Sequence, residues 1–175
     1  EPAVFLGYQS FVEPPTVLRA QDGVTEVWAG SEPPIDPSDL VVERMHAVST
    51  DGAEVGMFVV RRADAALPGP VELYGYGGFT INLTPTYSPA RLAFLEAGGI
   101  VVVANLRGGS EHGEPWHEQG SLGNKQQVFD DLIACGEHLL AEGIATPETL
   151  GIRGGSNGGL LLSLIHISEP TRQSK

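Results

Sequence analysis

Thr149-Leu150-Gly151-Ile152-Arg153-Gly154-Gly155-Ser156-Asn157-Gly158-Gly159-Leu160-Leu161-Leu162 is the stretch that decides the fold. Thr149 to Arg153 reads as a short strand, and the apolar run after Gly159 reads as a helix. Between them Gly154, Ser156 and Gly158 match the pattern G-x-S-x-G. A serine held at a sharp strand-to-helix turn has a strained backbone, and side chains two positions to either side would collide there. Glycine on both flanks removes the collision. The result is an exposed hydroxyl at the end of a sheet, with the positive end of a helix behind it to favour a developing anion.

Working back from this turn, the pattern alternates. Asn124 and Gln127 suggest a capping box for a helix that carries Val128, Leu132, Cys135 and Leu139 on one face and stops before Gly143. Ile100 to Ala104 is a continuous, mostly β-branched run, as expected of a strand buried on both faces of a parallel sheet. Ser88-Pro89 should open another helix, ending at Gly98-Gly99, because serine caps free amides and proline suits the first turn. Before it come a short strand, Val71 to Tyr76, and a hairpin of Val41 to Val48 with Glu54 to Arg61, turning at Asp51-Gly52. Strand and helix alternating in this way predict an α/β sheet with right-handed crossovers.

The first 40 residues differ. Val4 to Phe11, Thr16 to Ala20 and Thr25 to Ala29 read as an antiparallel meander broken by Glu13-Pro14-Pro15 and Asp22-Gly23. Three strands without a helix make no core of their own, so this portion must lean on the following domain or on chain beyond this sequence. Ser31 to Asp39, with Pro33, Pro34 and Pro37, reads as the linker out of it.

Bulk composition narrows the function. An apolar content of 41% over 175 residues suffices for one full-sized core. A net charge of −12 disfavours nucleic acid and anionic membranes as partners. The longest apolar runs fall far short of the roughly 20 residues that a membrane span needs, so a soluble protein is expected. Cys135 has no second cysteine to pair with and falls on the apolar helix face, where a buried structural thiol is expected. Glu111, His112 and His117 match no metal-ligand spacing; with Arg107 and Trp116 they should order a polar, glycine-rich loop and line an inner surface. The chain starts at Glu1 with no leader pattern, and we expect the true start to be missing. A cytoplasmic or periplasmic location fits equally.

Leu73-Tyr74-Gly75-Tyr76-Gly77-Gly78-Phe79 and Ala104-Asn105-Leu106-Arg107-Gly108-Gly109 resemble the prolyl oligopeptidase family. So do Trp116-His117, Asn124-Lys125, Phe129-Asp130-Asp131 and the turn at Ser156. The resemblance runs over roughly residues 1 to 163 and is densest from Leu73 to Leu162. It implies a monomeric parent of two domains: a β-propeller that restricts entry to short peptide substrates, and an α/β-hydrolase domain that cleaves after proline without a cofactor. The expected organisation is then 1–40 as the remnant of a propeller blade and its linker, 41–162 as the N-terminal part of a partial α/β-hydrolase sheet with flanking helices, and 163–175 as a tail foreign to the protein. The resemblance assigns Ser156 as nucleophile, the Asn157 backbone amide and the Tyr76 hydroxyl as oxyanion donors, and Phe79 as a wall of the substrate proline pocket.

In such a fold the triad runs serine, aspartate, histidine along the chain. No aspartate follows Ser156 here. His166, if the helix continues, lies about 15 Å along the axis from Ser156 at about 1.5 Å per residue, too far to be the base. The family continues past Leu162 with small residues, whereas Ser163 to Lys175 resembles translated adapter read-through. The chain alone is therefore expected to be inactive and to fold poorly with an exposed sheet edge. Alternatives are a relative specific for basic residues, another α/β-hydrolase such as an acyl peptidase or esterase, and a scaffold that kept the fold without the chemistry. The absence of an H-G-G-G loop speaks against the esterase; retention of the serine, its glycines and Tyr76 speaks against the scaffold.

Overall fold

The computed structural model describes residues 2–168, with side chains as far as Ser163. The end of the suspected tail, 169–175, and the side chain of His166 lie outside the described residues. Two sheets form. β1 (Val4–Tyr8), β2 (Thr16–Gln21) and β3 (Val24–Ala29) make the expected antiparallel meander. Its faces are largely open: Phe5, Tyr8, Val27 and Trp28 are all exposed, and Phe5 packs edge-on against Trp28 at 5.5 Å. The meander reaches the rest of the molecule through Phe11. That residue lies beyond the end of β1, is buried, and packs tilted against Phe58 at 5.3 Å beside Val60, Leu92 and Leu95.

The second sheet holds β4 (Leu40–Val48), β5 (Glu54–Arg62), β6 (Val71–Tyr74), β7 (Ile100–Ala104) and β8 (Leu150–Arg153), in the spatial order β4-β5-β7-β6-β8. β4, β5 and β7 pair antiparallel; β6 pairs parallel with both β7 and β8. This is an α/β sheet, as the alternating pattern anticipates, and it fits the partial α/β-hydrolase sheet that the resemblance implies. Helices α1 (Pro89–Glu96), α2 (Glu114–Glu118), α3 (Gln126–Ala141) and α4 (Asn157–Ser168) complete it.

Why β7 is apolar throughout follows from its two faces. Side chains alternate across a strand, so Ile100, Val102 and Ala104 join the cluster with Leu132, Cys135 and Leu139 of α3 and Leu161 of α4. Val101 and Val103 pack with Leu92 and Leu95 of α1. Each fully buried side chain of this kind contributes about 1.5–3 kcal/mol by leaving water. Helices on both faces leave the strand ends as the open ground.

Ser88 caps α1 as expected, its side chain accepting from the Arg91 N–H, and Pro89 occupies the first turn. The capping box at Asn124 and Gln127 does not form. Lys125 stands at the head of α3 with no side-chain cap, the Asn124 amide donates to Glu118 O, and the Gln127 carbonyl accepts from Arg107. A buried guanidinium outcompetes a local cap for that side chain. β6 also stops at Tyr74 rather than Tyr76, since the chain turns away into a glycine loop. Among the described residues no helix is long and apolar enough to cross a membrane.

Candidate active site

β8 ends at Arg153 and α4 begins at Asn157, leaving Ser156 at the apex of the turn with φ +53°. A non-glycine residue in this region costs about 1–3 kcal/mol and persists only where the surroundings impose it. Here they do. A Cβ on Gly154 would overlap the backbone of Gly158, and a Cβ on Gly158 would lie 2.5 Å from the carbonyl oxygen of Gly75. Ser156 itself is exposed, its carbonyl accepting from Gly159 N at 2.9 Å in the first turn of α4. Gly155 and Gly159 have open space where a Cβ would go, so only the glycines two positions from Ser156 are sterically required.

The loop after β6 lies against this turn. Tyr76 is half-buried and Gly77 adopts φ +59°. The Asn157 side-chain amide donates to Tyr76 O at 2.5 Å and to Gly77 O at 3.0 Å. Lys125 Nζ donates to the same Gly77 O at 2.6 Å, and burial lowers the pKa of that ammonium. Phe79, two residues on, is 70% exposed with φ +54°. Ser156, Asn157 and Tyr76 are thus brought together, and Phe79 and Asn157 both line a cleft of about 770 Å³ with Gly78, His117, Leu122 and Lys125. Glu114 and Glu118 of α2 also face this cleft.

Beneath the loop is a charged hub that the sequence reading did not assign. Arg107, 1% exposed, donates through Nε and Nη2 to Asp131, itself fully buried, at 2.5–3.1 Å. It also reaches Asp51 in the β4–β5 turn, Ser49 and Gln127. Burial alone would lower the Arg107 pKa, but its bonds to Asp131 and Asp51 outweigh that and hold it charged. The same contact holds the Asp51 carboxyl below its ordinary value. Gly108, next in the chain, leaves no room for a side chain, since a Cβ would lie 2.7 Å from Gly77 O. His117 Nδ1 lies 2.8 Å from Gly108 O, and His112 sits edge-on to buried Trp116. The loop residues therefore order the floor, and His117 faces the cleft. Cys135 is buried, its thiol pKa pushed up by burial. Among the described residues no grouping of three or more His, Cys, Asp or Glu is placed to hold a metal.

Among the described residues no histidine or carboxylate is hydrogen-bonded to the Ser156 hydroxyl. Sequence reasoning named Asn157 for its backbone amide and missed its side chain. Two adjacent carbonyls across a glycine loop leave no trace in a single sequence.

Comparison with known proteins bears on the family and the fold. Residues 85–172 match the model of the prolyl oligopeptidase family. A prolyl oligopeptidase of Omphalotus olearius is 42% identical over 166 residues, 90% of this chain and 22% of that protein. A structure from a study of two prolyl endopeptidases superposes with a TM-score of 0.92 at 40% identity, over 96% of this chain and 25% of the other. Oligopeptidase B from Leishmania major superposes with a TM-score of 0.89 at 32% identity, over 97% and 24%. The chain spans about a quarter of the length of these relatives.

Proposed function

The chain belongs to the prolyl oligopeptidase family, and we propose that the protein it is part of is a serine endopeptidase hydrolysing short peptides after proline. The observation that carries this is the left-handed backbone of exposed Ser156, in a turn too tight for a side chain at 154 and packed through Gly158 against the loop of Tyr76.

In this mechanism Ser156 Oγ attacks the scissile carbonyl while a histidine further along the full-length chain takes its proton, oriented by an aspartate. The tetrahedral oxyanion accepts hydrogen bonds from the Asn157 amide and the Tyr76 hydroxyl; removing one such donor costs about 3 kcal/mol in related sites. Collapse expels the amine with the histidine's proton and leaves an acyl-enzyme on Ser156. Water then repeats the sequence and frees the peptide acid. No cofactor takes part. Phe79 forms one wall for the substrate proline. The meander β1–β3, with its exposed Phe5, Val27 and Trp28, is the end of a β-propeller in a monomeric parent. A serine without its base is a poor nucleophile, so the 175-residue chain by itself is inactive.

Glu114 and Glu118 on the cleft, as carboxylates that could pair with a cationic side chain, support a second reading: cleavage after a basic residue. Hydrolysis of Pro-linked, Arg-linked and ester substrates by the full-length protein separates the two. Preference for the Pro-linked peptide, lost in Ser156→Ala, supports the first; preference for the Arg-linked peptide replaces it with the second.

A further inference from the structure

The loop that carries Tyr76 has few side chains of its own to hold it. Gly75, Gly77 and Gly78 surround the tyrosine, and Gly77 has a left-handed backbone. Two polar side chains from elsewhere supply what the loop lacks. Asn157 Nδ2 carries two hydrogens, and it lies within bonding distance of two successive carbonyls, Tyr76 O and Gly77 O. Lys125 Nζ approaches Gly77 O from the head of α3. A carbonyl oxygen has two lone pairs, so Gly77 O accepts both without competition. We propose that the Asn157 carboxamide and the Lys125 ammonium form a clamp on the Tyr76-Gly77 peptide, and that this clamp positions the Tyr76 hydroxyl for the oxyanion.

The arrangement couples the two halves of the site through one residue. The Asn157 backbone follows Ser156 directly, while its side chain holds the strand-end loop across the gap. Aspartate at 157 would keep the backbone amide and turn both contacts repulsive; leucine would keep the size and remove both donors. Lys125 ties the same point to α3, whose own placement is set by Asp131 and Gln127 on Arg107. The ammonium contact is charge-assisted and stronger than a neutral one. Asn157 acts through its side chain, and Lys125 throughout, as a positioning residue. This proposal rests on the peptidase reading above.

The test uses the full-length protein, a Pro-linked fluorogenic peptide, and Asn157→Leu and Lys125→Met, each alone and combined with Tyr76→Phe. Each single variant should lower kcat about 10- to 100-fold, as a misplaced donor does, with KM within about threefold of the parent's. In the Tyr76→Phe background the same substitutions should cost less than about threefold, because the group they position is gone. Lys125→Arg should recover much of the Lys125→Met loss. Losses that multiply regardless of Tyr76→Phe, or a wild-type kcat in both variants, overturn the clamp. Lys125→Met removes a single contact at the cleft edge and remains informative should Asn157→Leu fail to fold. If the full-length protein neither cleaves peptides nor reacts at Ser156, the peptidase reading fails instead. The clamp is then judged by hydrogen exchange at amides 77–80, which should quicken in Lys125→Met; unchanged exchange overturns it.

Discussion

The position a Cβ would take on Gly158 lies 2.5 Å from the carbonyl oxygen of Gly75, so the serine turn and the tyrosine loop meet backbone to backbone. Neither partner is a flexible side-chain end that could swing aside. Gly158→Ala should therefore displace α4 from the loop and lower activity of the full-length protein by about 100-fold, the cost of roughly 1 Å of misplacement. Gly159→Ala, with open space at that point, should leave kcat within about threefold and should strengthen the helix by up to about 1 kcal/mol. Steady-state kinetics and denaturant unfolding of the pair check this.

Strain at Ser156 should be visible as stability. Its φ of +53° suits glycine better than any L-residue with a side chain. Ser156→Gly should raise the denaturant midpoint, by up to about 1 kcal/mol in unfolding free energy, while abolishing turnover. An unchanged or lower midpoint would show that the turn relaxes elsewhere.

The buried pair Arg107 and Asp131 makes a different claim. Asp131→Asn leaves a guanidinium that is 1% exposed with only the partly exposed Asp51 as counter-charge, at a cost of up to about 3–5 kcal/mol. Thermal and denaturant unfolding should show a loss of that order, and normal stability would argue that water reaches the hub.

Asp51 adds a pH dependence. Its hydrogen bond to Arg107 lowers its folded pKa below the ordinary 3.8. A depressed carboxylate contributes stability that is complete above the unfolded value and disappears as pH falls through the folded one. The stability gap between wild type and Asp51→Asn should be constant from pH 7 to about 5 and close below 3.8, with salt shrinking it because the Asp51 side chain is 42% exposed. A gap that persists at the lowest pH would contradict the assignment.

Phe79 is 70% exposed on the cleft, so Phe79→Ala should leave stability unchanged and raise KM for a Pro-linked peptide about tenfold, through loss of an aromatic contact. An equal KM would remove Phe79 from the substrate wall.

How far the sequence revealed this depends on the range of each interaction. Ser88 beside Pro89 and Gly154 against Gly158 act within a few residues of themselves and formed as read. The apolar run Ile100 to Ala104 formed the doubly buried strand, though parallel to β6 alone and antiparallel to β5. The need for glycine at 158 comes also from Gly75, far away in the chain. The Asn124 and Gln127 cap failed because Arg107, 20 residues from Gln127, claimed that side chain. Helix α2 passed as loop, since Gly113 and Pro115 mark turns and five residues show no periodicity. The interleaved order of β6 and β7 and the reach of Asn157 to Tyr76, 81 residues away, exist only after folding.

Reaction of the full-length protein with a fluorophosphonate, followed by mass spectrometry of its peptides, tests the central claim most directly, because only an activated serine is modified. The account predicts a single phosphonyl adduct on Ser156, formed in step with loss of peptide hydrolysis. An active protein whose adduct falls on any other residue, or which takes up none, would contradict it.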